Sequence, residues 1–331
     1  MYETFYRLRK NPFALTPDPS FMMMTEGHCD AKAGLMYAIL SGKGFTVLTG
    51  DAGTGKTTLL RSVINSIPPE KLCSSVVVNP ALNPDDFSDM AVSDFGLAGG
   101  MGKPDRLRKL HEFLLESRAA GKVSVLFVDE AHRLSIETLE EIRLMTNFET
   151  ENQKLLQIVL VGQDELDEML DRRELRQLKQ RVEVHLHIGP LSAEESRLYI
   201  NHRWSCASDS TPPFSSEAIH RIGHVSNGIP RLINSICDNA LLLGFAESAS
   251  IVTDKHILEV SRDLRLNGTV DRRPVTEHKE RKPSQEDKPS MKMDLQIPQP
   301  VFNGHHNPLS LFADHKPKRS WWLRFSGAQK A

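Results

Sequence analysis

Residues 50–57 read Gly50-Asp51-Ala52-Gly53-Thr54-Gly55-Lys56-Thr57, and no other stretch constrains the fold of this chain as tightly. The octapeptide follows the apolar run Phe45–Thr49 and leads directly into Thr58-Leu59-Leu60-Arg61-Ser62-Val63-Ile64, which has a helical pattern. A complete GxxxxGKT between a strand and a helix is a backbone cradle for phosphate groups. The glycines let the main chain wrap the anion, and the N–H groups at the helix start point toward negative charge. On this reading Gly50, Asp51, Ala52, Gly53, Thr54, Gly55 and Thr58 supply the cradle. Lys56 bridges the β- and γ-phosphates of ATP, and the Thr57 hydroxyl ligates Mg²⁺.

Such a loop belongs to a parallel α/β sheet, and residues 1–267 alternate accordingly. Candidate strands are Phe45–Thr49, Ser75–Asn79, Val123–Val128, Leu156–Val161 and Val182–Ile188. Most are short β-rich apolar runs, as expected of strands buried on both faces. The last alternates Val182, Val184, Leu186 and Ile188 with Glu183, His185 and His187, which predicts a wetter face. Helical segments fill the gaps, giving a three-layer α/β sandwich. After Pro190 the strand pattern stops. Ser192 with Glu195 forms a capping box opening a helix through about Trp204. Helices over Ser216–Val225, Arg231–Phe245 and Thr253–Leu264 follow, with Asn227-Gly228 as a break. The expected division is an α/β nucleotide-binding domain over 1–190, an all-helical lid over 191–267 and a tail over 268–331.

The tail is read from composition. Residues 268–331 hold 12 Lys/Arg against 7 Asp/Glu, while the remainder holds 29 against 36, so a whole-chain charge of −2 conceals a basic end on an acidic body. The same segment has 7 of the 19 prolines and too few apolar residues to offset its chain entropy, which predicts disorder. Near its end, Trp321, Trp322 and Phe325 lie among Lys316, Lys318, Arg319 and Arg324. Basic charge with interfacial aromatics suits reversible contact with an anionic membrane surface or docking on a partner; the plainer alternative is an inert tail whose tryptophans pack back on the folded part. No apolar run is long enough to span a bilayer, and Met1-Tyr2-Glu3-Thr4 opens no secretory signal. Cys29, Cys73, Cys206 and Cys237 are scattered without metal-ligand spacing. The expected location is the cytoplasm, peripheral at the inner membrane on the membrane reading of the tail.

The second chemical element is Val125-Leu126-Phe127-Val128-Asp129-Glu130. Alone, an apolar run ending in two carboxylates is a solvated strand end. Placed 73 residues after Lys56 it reads as a Walker B motif. Asp129 is then the carboxylate that holds Mg²⁺, and Glu130 the general base for the attacking water. Asp129-Glu130-Ala131-His132 also spells a helicase box, but no second motor domain with an arginine-rich motif accompanies it, and His132 is read as a helix-start residue. Three further positions complete a pattern. Gln163 ends the run Leu156–Val161 within reach of a γ-phosphate. Arg181 lies immediately before the last strand, with Arg176 as a lesser candidate for the same role. Arg231, in Gly228-Ile229-Pro230-Arg231, opens a helix of the second domain. They correspond to the sensor-1, arginine-finger and sensor-2 positions of AAA+ ATPases.

With these residues in place the chain resembles the general secretion pathway protein A family of AAA+ ATPases, found in type II secretion, type IV pilus and exopolysaccharide gene clusters. The resemblance covers roughly residues 2–265. It rests on Tyr6, Asn11-Pro12-Phe13, Pro17-Asp18-Pro19, Gly44-Phe45, the phosphate loop, Asp129–His132, Leu156–Gln163, Leu175–Leu178 with Gln180-Arg181, Leu191-Ser192 with Glu194-Glu195, and Gly228–Arg231 with Asn234. It implies an ATP-driven homo-oligomer with sites shared between neighbouring subunits, and partners among envelope secretion or export proteins. It also implies that the Asn11–Pro19 segment lies over the adenine. Family members that insert in the inner membrane carry a transmembrane helix and a peptidoglycan-binding domain after the ATPase. Neither is seen here, so insertion and peptidoglycan binding are not carried over.

Two functions of different classes follow. The first is a Mg²⁺-dependent ATPase driving assembly of an envelope secretion or polysaccharide-export machine. The alternative is a DNA-transaction helper ATPase of the transposition type, which calls for a basic face. The acidic balance of residues 1–267 weighs against nucleic acid. A STAND-type signalling switch would bring repeats or an effector domain, and none is visible.

Overall fold

The computed structural model describes residues 2–16, 18–78, 82–97 and 102–266. In chain order the elements are α1 (Tyr2–Phe5), α2 (Glu26–Leu40), β1 (Phe45–Gly50), α3 (Lys56–Ser66), β2 (Leu72–Val77), α4 (Pro84–Asp94), α5 (Lys103–Ala119), β3 (Val123–Val128) and α6 (Ile136–Met145). There follow β4 (Leu156–Val161), α7 (Glu165–Leu170), α8 (Arg176–Lys179), β5 (Val184–Ile188), α9 (Ala193–Ala207), α10 (Ser216–Val225), α11 (Pro230–Ala246) and α12 (Asp254–Asp263). The basic, aromatic stretch 316–325 and the rest of the predicted tail lie outside the described residues.

All five strands pair in parallel, in the order β2-β3-β4-β1-β5. Successive residues of each strand face opposite layers, because the side-chain period of a strand is two. Val47, Leu126, Ile158 and Leu160 join the core with Phe87, Leu110, Leu114, Leu139 and Ile142 of α4, α5 and α6. Leu48, Val125, Phe127 and Val159 join the opposite core with Leu35, Ile39, Leu59, Leu60 and Val63 of α2 and α3. This is the three-layer sandwich expected from the alternation. Strands β1 and β4 are buried along their whole length. At the edge, β5 turns Leu186 and Ile188 inward and leaves His185 and His187 exposed, which is the wetter face predicted.

The second strand begins earlier than its sequence suggests. Leu72-Cys73-Ser74 has little strand propensity, yet it pairs with β3 from Leu72 opposite Val123 onward. The polar side chain is accommodated by packing: the buried Ser75 hydroxyl donates to the Ala91 carbonyl of α4 at 3.0 Å. Asn79, the last residue of the expected strand, lies outside the described residues.

Helices α9–α12 enclose a separate apolar core around Trp204, Ile236, Leu241 and Ile257. Its first helix carries the predicted capping box: the Glu195 N–H donates to Ser192 Oγ at 3.2 Å and the Ser192 N–H to Glu195 Oε2 at 2.9 Å. Tyr2, Tyr6 and Phe13 are buried in this same helical core. By packing, the N-terminal segment therefore belongs to the lid, whereas a division at residue 190 assigns it to the α/β part. Sequence order cannot reveal that, because the partners lie about 200 residues downstream. Among the described residues no helix is long and apolar enough to cross a membrane.

Candidate nucleotide site

The loop between β1 and α3 sits at the carboxyl end of the sheet, where open α/β folds bind ligands. Gly50 has φ +150°, and a Cβ there would lie 2.2 Å from the Ile188 carbonyl oxygen. Gly53 has φ +84°, and a Cβ there would meet Arg231 Cβ at 2.7 Å. The loop is thus confined by β5 on one side and by the start of α11 on the other. Lys56 is only 8% exposed, and its Nζ donates to the carbonyls of Gly50 and Asp51, each at 2.7 Å. Burial pushes this ammonium below its usual range, and the carboxylates of Glu130, Asp164, Asp129 and Asp51 pull the other way.

A residue that sequence reasoning missed steadies the loop from outside. His28, buried in the first turn of α2, places Nε2 2.9 Å from the Thr54 carbonyl oxygen and Nδ1 2.6 Å from Thr25 Oγ1. A carbonyl can only accept, so Nε2 carries the proton. No motif marks this histidine; its role comes from α2 packing beside α3.

Asp129 and Glu130 leave β3 into different surroundings. Asp129, 3% exposed, accepts from the Thr57 hydroxyl through Oδ2 at 2.7 Å and from the Glu130 N–H through Oδ1 at 2.9 Å. Hydroxyl and carboxylate are thereby presented together, a donor pair suited to a hard cation such as Mg²⁺. Among the described residues no cluster of three or more His, Cys, Asp and Glu could hold a metal alone. An ion held by Thr57 and Asp129 would draw its remaining oxygens from phosphate and water, which fits a nucleotide-dependent site. When bound, such an ion neutralises charge on the phosphates. Glu130 has φ +55° and its side chain is 42% exposed at the cleft. His132 does not open a long helix. It sits in the single turn Ala131–Arg133, with its ring between Glu130 and the backbone of Gln163.

Above the loop lies a cleft of about 700 Å³, lined by Lys56, Thr57, Glu130, Gln163 and Arg231 among others. Its walls include the strap Ala14–Thr16 and, from the lid, Tyr199, Arg203 and Asn234. The strap is fastened to the lid. Asn11 Nδ2 donates to Asp238 at 2.9 Å, Phe13 is fully buried, and the guanidinium of Arg203 donates to the carbonyls of Pro12 and Ala14. Arg203 also donates to the Tyr199 hydroxyl at 3.1 Å, which in turn donates to Asn234 Oδ1 at 3.1 Å. Arg203→Leu should therefore cost about 2–3 kcal/mol of stability, because it strands buried acceptors that a charged donor now satisfies. Urea denaturation measures this; a loss below about 0.5 kcal/mol would mean that the strap is held by its apolar contacts alone.

The remaining arginines separate. Arg231 is exposed in the first turn of α11 and lines the cleft. Arg181 does not reach the cleft of its own chain: its guanidinium donates to Thr146 Oγ1 at the end of α6. Arg176 is exposed on α8, and its carbonyl accepts the Gln180 N–H at 3.1 Å. Residues 39–170 match a family model described as an AAA domain. Over 253 residues the chain is 41% identical to general secretion pathway protein A of Aeromonas hydrophila, an alignment covering 75% of this chain.

The chain is a homologue of general secretion pathway protein A.

It spans about half of that relative, 46% of its length. The fold of this homologue is that of AAA+ P-loop proteins. It is similar to Drosophila ORC bound to DNA, with a TM-score of 0.62 at 16% identity over 80% of this chain and 66% of that one. It is also similar to the Aeropyrum pernix ORC2 protein, with a TM-score of 0.56 at 16% identity over 77% of this chain and 72% of that one. At such identities the likeness is one of fold alone.

Proposed function

We propose that this AAA+ protein hydrolyses ATP with Mg²⁺ and spends the cycle on assembling or operating a bacterial envelope secretion or polysaccharide-export system. The observation that carries hydrolysis is the meeting of Lys56, the Thr57–Asp129 pair and Glu130 at one cleft. Phosphate binding, cation binding and water activation then fall to different side chains. Gln163 reads the γ-phosphate from the end of β4, and Arg231 closes the lid over it. The secretion assignment rests on the 41% identity to general secretion pathway protein A. The protein works in the cytoplasm, and its basic, aromatic stretch 316–325 meets anionic membrane surface at the inner membrane.

The site is shared in a homo-oligomer, with Arg181 acting on the neighbour's nucleotide. Arg181 lies away from its own loop, so Arg181→Ala should keep ATP affinity and lose hydrolysis only in the assembled form. Adding Lys56→Ala subunits, which keep their arginines, should restore part of the rate. If the mixed oligomer forms without restoration, Arg181 is not the finger, and the same exchange with Arg176→Ala examines the exposed alternative.

The experiment that tests the function is the ATPase rate with and without a Mg²⁺ chelator, with anionic vesicles and with duplex DNA. Loss of turnover on chelation and a response to vesicles support the reading. A rate raised by DNA and indifferent to vesicles would favour the DNA-transaction helper.

A further inference from the structure

His132 is the residue that the Walker B reading leaves without a task. Its side chain is 15% exposed, between the ends of β3 and β4, which are neighbours in the sheet. Nδ1 lies 3.3 Å from the backbone nitrogen of Gln163. That nitrogen can only donate, so Nδ1 is the acceptor and Nε2 carries the proton in the neutral ring. Nε2 lies 3.5 Å from Glu130 Oε2, an electrostatic contact rather than a short hydrogen bond. The backbones are close-packed here: a Cβ on Gly162 would lie 3.2 Å from the His132 backbone nitrogen and 2.9 Å from Leu166 Cδ2. Glu130 itself holds a left-handed backbone conformation, which a non-glycine residue keeps only when its surroundings enforce it.

We propose that His132 is a positioning residue for hydrolysis, tying the Glu130 carboxylate to the backbone at the end of β4. The strand end that carries Gln163 then also sets the base, so a displacement of one displaces the other. The ring does this as a neutral bridge, accepting from one backbone N–H and presenting its own N–H to the carboxylate. The proposal rests on the reading of Glu130 as the base.

Three variants and one spectrum test it. His132→Ala should lower kcat by about 10- to 100-fold, as loss of a group that orients a reacting one does. Its ATP affinity should stay within about threefold of wild type, since Lys56 and the loop are untouched. His132→Phe keeps a ring of similar volume without nitrogens and should lose as much. His132→Gln offers an acceptor and a donor at nearly the spacing of the two ring nitrogens and should recover most of the loss. In a Glu130→Gln background, His132→Ala should change the residual rate by less than about twofold, because the carboxylate it serves is gone. The imidazole ¹⁵N shifts of the nucleotide-free protein, assigned by difference with His132→Gln, should report the Nε2–H form. Wild-type activity in His132→Phe would make the role one of packing and overturn the proposal. So would a parallel loss of ATP affinity, an undiminished effect beside Glu130→Gln, or an Nδ1–H spectrum. If His132→Ala does not fold, the Phe and Gln variants decide. Failure of the base reading looks different: Glu130→Gln itself would then turn over at the wild-type rate.

Discussion

Lys56→Ala should bind no ATP at concentrations that saturate the wild type, whereas Glu130→Gln should bind ATP and hydrolyse it about 10²- to 10⁴-fold more slowly. The two results differ because the proposed function gives the two side chains different work. The buried Lys56 ammonium lies on the loop carbonyls of Gly50 and Asp51, inside the cradle the phosphates would enter. Removing it takes the main positive charge from a site that also faces Glu130, Asp164, Asp129 and Asp51. Glu130 lies at the cleft with a half-exposed carboxylate. Its amide keeps the charge-free shape and donates where a base must accept, so binding survives and water activation does not. Equilibrium binding of a fluorescent ATP analogue and single-turnover hydrolysis separate the two quantities. Wild-type turnover in Glu130→Gln would remove Glu130 from the base role, and intact binding in Lys56→Ala would remove the lysine from the cradle.

Gly228→Ala should destabilise the folded unit by about 3–5 kcal/mol, the sum expected of left-handed strain and a forced backbone displacement. Gly228 has φ +71°, and a Cβ there would lie 1.9 Å from the carbonyl oxygen of Leu191. That contact is backbone against backbone, so no side-chain rotation relieves it. The same glycine accepts the Leu191 N–H at 2.9 Å, and its own N–H is turned toward Ser226 Oγ and the Gly223 carbonyl, each at 3.2 Å. These bonds pin the segment entering the lid against the turn before α11, the helix that brings Arg231 to the loop. The urea midpoint should fall with little change in slope, and ATP affinity should fall with it. A variant within about 0.5 kcal/mol of wild type would mean that the turn can shift freely and does not set the lid.

The chemistry was legible in the sequence wherever neighbours in the chain are also neighbours in space. The phosphate loop is one continuous turn, so Gly50–Thr57 declares itself together with its flanking strand and helix. The Walker B run, the edge-strand alternation at His185 and His187, and the capping box of Ser192 with Glu195 are local in the same sense. Their physics runs over two to four residues: strand period, helix-start N–H groups, glycine backbone freedom. The strand residues before Ser75 were hidden for a converse reason, since Leu72, Cys73 and Ser74 are held by pairing with Val123, Ser124 and Val125, about fifty residues downstream.

What the tertiary structure decided is which distant pieces meet. The order β2-β3-β4-β1-β5 inserts β4 between the loop strand and the Walker B strand, and nothing in the spacing of Lys56 and Asp129 says so. That insertion puts Gln163 beside His132 and turns the last residue of an unused motif into a bridge to Glu130. Likewise Arg203, an ordinary helix residue by sequence, becomes the anchor of the strap because folding brings Pro12 and Ala14 to it. His28 reaches Thr54 for the same reason. By itself the sequence determined the parallel α/β class and the helical lid and singled out the residues proposed to hold phosphate and cation, because local backbone geometry and short-range patterning are written in consecutive residues. Only the tertiary structure decided how the base, the strap and the loop are held, because buried side chains take their partners from whichever elements the core packs together.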